Sequence, residues 1–532
     1  MRRTRSRLPV LALRLGLLVA LGGGLAAQAP ESAGLLETAL ASITPEDCRS
    51  RVEILAGPEM EGRDSGSPGF ERAARWVEER LEELGLEPAG PEGSWRVPYT
   101  VAALQAGPGA SIAVVDRKGE ETLLEPGRDF LPLPGSALEE VEGEPLFVGY
   151  AIDARSERWQ DLPESRVQGR VVFAFSREPR ADNPKNRTFD GAEPTRYSQL
   201  RTKAEAVRKA GGVALVLVPD PGAFPEASAP LPGHLPVVVR RGFDPANRRL
   251  QLPVPVFSVS REAAGRLFDE DLERYHQGID RRHKPKHLRA PRGTRVRLRA
   301  ELVVEELRLY NLAARIPGSR PETGHVLLGA HLDHVGYEPL GFSPTGGMQV
   351  VHPGADDNAS GSSALLEVAE AFAGTSPQTT ILFLWFSGEE KGLLGSFAYT
   401  REPLLPLKEA VCMLNMDMVG MGPEHSMNIG GVWDRPAWAR LLREQRKRAG
   451  LRLRLDLESG RDLYARSDQF PFYRAGLPAL FFFEGDLDSN PVYHQPGDRP
   501  ERINAEKMSA VARLFAATVH ALAFDGVRPD ED

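Results

Sequence analysis

Val326-Leu327-Leu328-Gly329-Ala330-His331-Leu332-Asp333-His334 is a short apolar run that ends abruptly in imidazoles and a carboxylate. A continuous run of this kind reads as a strand buried on both faces. The texture returns on either side of it, in Tyr310 to Ile316, Ile381 to Phe386, Val411 to Met416 and Ala479 to Phe483. A helix from about Ser360 to Phe372 falls between two of these strands, with Leu365, Leu366, Val368, Ala369 and Phe372 as its buried side. Strand, loop and helix in repetition predict an α/β domain, a mixed, largely parallel sheet flanked by helices. In such sheets ligands gather beyond the carboxyl ends of the strands, so the polar residues of a site should fall there.

Working outward, Ser67-Pro68 is a helix start, with Ser as N-cap and Pro at the first helical position. Phe70, Ala73, Ala74, Val77, Leu81 and Leu84 follow at helical spacing, and Gly85 ends the run. From about 101 to 300 the pattern changes to short apolar runs (Leu146 to Ile152, Val171 to Phe175, Val213 to Val218, Val254 to Val259) between polar and Pro-rich loops. This reads as a β-rich module of its own, with no cluster of ligand-type residues. The division expected is a leader at 1–29, a helical part of the main domain at 30–100, an insert at 101–300 and the α/β domain at 301–526.

The leader carries Arg2, Arg3, Arg5 and Arg7, then the largely apolar Leu8 to Leu21, then Ala27-Gln28-Ala29. That is the order of an export signal with its cleavage site. Arg14 leaves the apolar run short of the roughly 20 residues needed to span a bilayer, so no stable membrane insertion is expected after cleavage. Export to the periplasm or the medium is the expectation. Loss of the leader's five arginines takes the net charge from −8 to −13, which argues against binding a nucleic-acid backbone. The basic stretch Arg281 to Arg299 reads as a solvated strand and loop. Cys48 and Cys412 are the only cysteines; Cys412 lies in an apolar strand, as a buried free thiol would.

The polar residues do fall at element ends. His331-Leu332-Asp333-His334, Ser387-Gly388-Glu389-Glu390 and Asn415-Met416-Asp417 each close a strand. Gly354-Ala355-Asp356-Asp357-Asn358-Ala359-Ser360-Gly361 opens the helix, and Val492-Tyr493-His494-Gln495-Pro496-Gly497-Asp498 comes late in the chain. One such cluster is commonly a cap or a surface turn; five in one domain describe a site. Imidazole and carboxylate without thiolate are the donors of a hydrolytic zinc centre. At a strand end neighbouring side chains diverge, so one of Glu389 and Glu390 can bind metal while the other faces substrate as a proton carrier. Asp333, two residues after His331, is placed to orient its imidazole.

These motifs, in this order, resemble those of the co-catalytic dizinc aminopeptidases, whose wider family includes glutamate carboxypeptidase II-like proteins. The likeness covers about 301 to 525, and Glu53 to Gly90 resembles the helical lead-in of the same domain. The module at about 101 to 300 resembles an inserted protease-associated domain. The resemblance implies two zinc ions per chain: His331 and Asp417 complete one, Glu390 and His494 the other, and Asp357, preferred to Asp356, bridges them. It implies Glu389 as general base and Tyr493 as oxyanion donor, with Tyr464 a rival for that role. Gln469 stands where many relatives have His. Peptide substrates, cleaved from the N-terminus, are the implied partners. A carboxypeptidase on the same scaffold, a single-zinc acyltransferase of glutaminyl-cyclase type and a non-catalytic receptor are the alternatives.

Overall fold

Ser67 Oγ accepts the Phe70 amide at 3.1 Å, and with Pro68 at the first position it starts the helix that the apolar spacing predicts. A computed structural model describes residues 29–133, 135–179, 189, 195–221, 237–239, 251–336, 351–433, 435–485, 490 and 492–529. The expected leader, save Ala29, lies outside them.

The elements that position the site are, in chain order, α1 (Pro45–Leu55), α2 (Pro68–Glu83), β1 (Arg96–Ala106), β2 (Leu302–Ile316), β3 (His325–His331), α3 (Gly361–Phe372), β4 (Thr380–Phe386), β5 (Ala410–Met416), β6 (Ser426–Gly430), β7 (Ala479–Phe483) and α4 (Ala505–Ala523). One mixed sheet runs β1-β2-β4-β3-β5-β7-β6, with Val237–Val239 beyond β1 and Arg454–Asp456 beyond β6. Its four central strands, β4-β3-β5-β7, are parallel; β2 joins β4, and β6 joins β7, antiparallel. Every residue of β3 is buried, as its continuous apolar sequence requires of a strand covered on both faces. The helices α1, α2, α3 and α4 share one apolar core with β3 and β5, which includes Val52, Phe70, Leu365, Val326, Leu414 and Phe515. Both cysteines are buried, and neither is in a disulfide.

Two expectations need correction. The strand read as starting near Tyr310 begins at Leu302 and pairs with β1 from Leu302↔Ala106 to Leu312↔Arg96, forming a long two-stranded arm. Of Leu146 to Ile152 only Leu146 and Phe147 are strand, in an element that starts at Pro145. Gly149 (φ 100°) and Ala151 (φ 56°) turn the chain out of the sheet, and the Asp161 carboxylate takes the amides of Tyr150 and Ile152 instead.

Between the strands of the arm, a six-stranded sheet (containing Val171–Phe175 and Ala214–Val218) and a four-stranded sheet have apolar clusters drawn entirely from residues 110–300. The basic stretch contributes an outer face here: Arg295 and Arg297 pair with Glu142 across neighbouring strands.

Candidate metal centre

The carboxyl ends of β3, β4 and β5 deliver His331, the Glu389–Glu390 pair and Asp417 to one edge of the sheet. The turn into α3 adds Asp357, followed by a cis Asp357–Asn358 peptide, and the loop before α4 adds His494. Two groups form. His334, Asp357, Glu390 and His494 have ligand-type atoms within 4.8 Å of one another, and so do His331, Glu389 and Asp417.

Asp357 stands between them. Its Oδ1 lies 3.3 Å from His331 Nε2, and its Oδ2 lies 3.0 Å from His494 Nε2 and 3.8 Å from His334 Nδ1. His331 Nε2 is also 3.2 Å from Asp417 Oδ1. Glu390 spans the other group, with Oε1 at 2.8 Å from His334 Nδ1 and Oε2 at 2.9 Å from His494 Nε2. Asp356 points elsewhere: its Oδ1 accepts the Gly420 amide at 2.7 Å. Asp498 takes the amides of both Asp356 (2.9 Å) and Asp357 (3.1 Å), which fixes the loop that presents Asp357.

The charges fit a cation. Burial alone would depress the His494 imidazole, but Glu390 and Asp357 outweigh it and push it up to about 11. Burial opposes ionisation of Asp357 too, yet His331 and His494 hold its carboxyl well below the usual range. The carboxylates crowded around these imidazoles thus favour positive charge at this spot. His494 Nε2 is buried and close to two carboxylate oxygens, yet meets neither in hydrogen-bonding geometry. A nitrogen and two oxygens converging in that way are arranged as ligands around a common centre. Nitrogen and oxygen donors without sulfur suit zinc at a hydrolytic site.

Glu389 differs from its neighbour. Burial pushes its carboxyl well above the ordinary range, His331 opposes this, and Glu390, Asp417 and Asp468 add to it. It lines a small pocket with Asp357, Asp417, Met418, Leu463, Arg466, Phe481, Phe483 and Tyr493. Tyr493 stacks on His494 at 4.0 Å between ring centroids, and its hydroxyl accepts from Arg466 at 3.3 Å. Tyr464, the rival tyrosine, donates its hydroxyl to the Ala479 carbonyl at 2.6 Å and is buried. Gln469, in the place of a frequent His, accepts from Asn415 at 3.1 Å.

Asp333 does not orient His331 in the expected way. The imidazole Nδ1 meets the main-chain oxygen of Asp333 at 3.0 Å, while the nearer carboxylate oxygen lies at 3.8 Å. That carboxylate instead accepts the Glu389 amide (3.3 Å) and the Ser65 hydroxyl (2.9 Å). Three contributors have no role that the sequence assigns, although His334 and Asp498 stand within the quoted motifs. His334 stands just past the β3 run, but side-chain direction beyond a strand end follows no period. Asp498 and Arg63 bond to main-chain groups of distant residues, which leave no spacing signature.

Residues 311–519 match Peptidase family M28. A probable leucine aminopeptidase of Arthroderma otae is 33% identical over 238 residues, 42% of this chain and 61% of that protein. The aminopeptidase YwaD of Bacillus subtilis is 32% identical over 175 residues, 32% of this chain and 37% of that one. The chain thus spans about six tenths of the length of the first of these relatives. Among solved structures, BSAP, a zinc aminopeptidase from Bacillus subtilis, aligns over 91% of this chain and 96% of its own at 18% identity, with a TM-score of 0.47. The strand-end motifs fall inside the matching region: residues 311–519, which carry them, are similar to Peptidase family M28.

Proposed function

We propose that the chain is a dizinc aminopeptidase that hydrolyses the first peptide bond of short peptides. The observation that carries this reading is Asp357, whose two oxygens face two separate groups of ligand-type residues. In this reading His331 and Asp417 would hold one zinc and Glu390 and His494 the other, with Asp357 available to both. His334 Nδ1, at 2.8 Å from Glu390, fixes the orientation of that carboxylate. Bound zinc supplies Lewis acidity, polarising the scissile carbonyl and making water a nucleophile near neutral pH.

The chain's own residues do the rest. Glu389 faces the pocket and takes the proton from the attacking water, then delivers it to the departing amine. Tyr493, on the same wall, donates its hydroxyl to the oxygen that gains charge, while Arg466 donates to Tyr493 Oη and strengthens it as a donor. Met418, Leu463, Phe481 and Phe483 offer an apolar surface for the side chain of the residue released. The similarity to proteins named aminopeptidases supports the N-terminal choice.

Arg466 favours a second reading. A guanidinium on the pocket wall suits a free substrate carboxylate, as a carboxypeptidase needs. One assay separates the two: a peptide with a free N-terminus and amidated C-terminus against its N-acetylated, free-acid counterpart. Cleavage of the first and not the second supports the aminopeptidase; the reverse overturns it. Metal analysis of the same preparation should approach two zinc ions per chain, and one tightly bound ion in a fully active enzyme would refute the dizinc assignment. We further propose that the leader directs export and that residues 107–301 form a protease-associated-like wall. N-terminal sequencing of secreted protein beginning at Pro30 would support the first.

A further inference from the structure

Three successive residues before α2, Glu61 (φ 49°), Gly62 (φ 67°) and Arg63 (φ 51°), occupy the left-handed region, two of them with side chains that disfavour it. Such backbone persists only where its surroundings hold it, and it concentrates at working sites. A Cβ on Gly62 would lie 2.4 Å from the His352 oxygen and 2.7 Å from the Gly336 Cα, so the segment is pressed against the loops that flank the cluster. It lies outside the matched region, almost 250 residues before its start.

From this bend, Arg63, Asp64 and Ser65 reach the loops that carry His331, Asp357 and the Glu389–Glu390 pair. Arg63 is fully buried. Its Nε donates to the Leu332 carbonyl, next to His331, and its terminal nitrogens donate to Pro353 and Gly354, ahead of Asp357, each at 2.8 Å. The Arg63 carbonyl accepts the His334 amide at 3.2 Å. Asp64 pairs with Lys391 at 2.5 Å, beside Glu390. Ser65 Oγ donates to Asp333 at 2.9 Å and accepts the Gly388 amide at 2.7 Å, while Asp333 takes the Glu389 amide. A planar guanidinium satisfies several carbonyls in fixed directions, which an ammonium does not.

We propose that Arg63-Asp64-Ser65 is a positioning segment for the metal centre: Arg63 sets the spacing of the His331 and Asp357 loops, and Ser65, through Asp333 and Gly388, aims Glu389. The functional unit therefore includes the lead-in before the insert as well as residues 311–519. This inference rests on the dizinc peptidase reading for its catalytic half, and its metal half is tested without turnover.

Arg63→Lys keeps the charge and loses the fork. Its zinc affinity, measured by competition with a chromogenic chelator, should fall at least tenfold, within the 10- to 100-fold typical of residues behind metal ligands. Ser65→Ala should retain zinc, keep KM within about twofold and lose about 10- to 100-fold in kcat, with Ser65→Thr recovering most of it. If Arg63→Lys does not fold, the serine pair decides. Native zinc affinity in Arg63→Lys, or a kcat in zinc-loaded Ser65→Ala within twofold of the native value, overturns the proposal. Loss of zinc and activity together in Ser65→Ala overturns the assignment of Ser65 to Glu389. A native protein that binds zinc and cleaves no peptide would refute the peptidase reading and leave the Arg63 result standing.

Discussion

Glu389 and Glu390 are adjacent in the chain and face opposite surroundings. Glu390 is bracketed by the imidazoles of His334 and His494, whereas Glu389 opens onto the pocket shared with Met418, Phe481 and Tyr493. A glutamine preserves shape and removes the carboxylate. Glu389→Gln should therefore retain metal and lose turnover by about 10² to 10⁴-fold. Glu390→Gln should lose metal as well, seen by elemental analysis after dialysis. Metal loss in the first variant and retention in the second would invert the roles. The tyrosines separate in the same way. Tyr493 lines the pocket, while the Tyr464 hydroxyl is engaged by Ala479. Tyr493→Phe should cost about 10² to 10³-fold in kcat, the scale of one lost oxyanion donor. Tyr464→Phe should act on stability alone, so comparable kcat losses in both would count against Tyr493.

At the scale of elements, α1 and α3 meet through a buried ion pair. Glu367 on α3 is 2% exposed and lies 2.8 Å from Arg51 Nε on α1. Burial pushes its carboxyl up to about 7; Arg51 opposes this, and Asp47 and Glu370 add to it. Between its ordinary value of 4.5 and about 7, the native state holds a proton that the unfolded chain has released. The resulting stability is complete below the unfolded value and is lost as pH rises through the folded one. Glu367→Gln should flatten this slope, by an amount on the order of 2 kcal/mol, in urea titrations at pH 4.5 and 8. An equal slope in both proteins would exclude Glu367 as its source. The same elements show what the sequence makes legible. β3, β4, β5 and β7 lie within one residue of their apolar runs, because strands covered on both faces are apolar almost throughout. The first half of β2 is not legible: Val304, Glu305 and Glu306 are exposed on an arm outside the core, so its pairing with β1 leaves no apolar pattern. Likewise the clustered His331, Asp357, Glu389, Glu390, Asp417 and His494 stand in short motifs, whereas Ser65 acts through an amide far along the chain.

At the scale of the whole molecule, the insert leaves and re-enters the sheet at the end of one arm and adds Val237–Val239 to its edge. Ala106 and Leu302 are register partners, and the Gly107 amide donates to the Glu301 carbonyl at 2.8 Å. The two points where the insert leaves and returns are therefore hairpin neighbours. Its apolar clusters share no residue with the core around β3 and α3. Replacing residues 107–301 by a short Asn-Gly hairpin should leave the α/β body folded and able to bind zinc, since β1 and β2 already have the geometry that such a turn closes. One edge pays for the change: β1 loses Val237–Val239, its partner at Ala102 to Leu104, and an open edge invites association. Only monodisperse, metal-loaded variants belong in the comparison. The proposed role of the insert as a wall predicts that it restricts long substrates and leaves the chemistry to the metal centre. The variant should then cleave a small aminoacyl substrate at nearly the native rate and accept longer peptides relatively better across a length series. An unchanged length preference in a folded, zinc-loaded variant would remove the insert from substrate selection, and a lost small-substrate activity with zinc retained would make it part of the catalytic body.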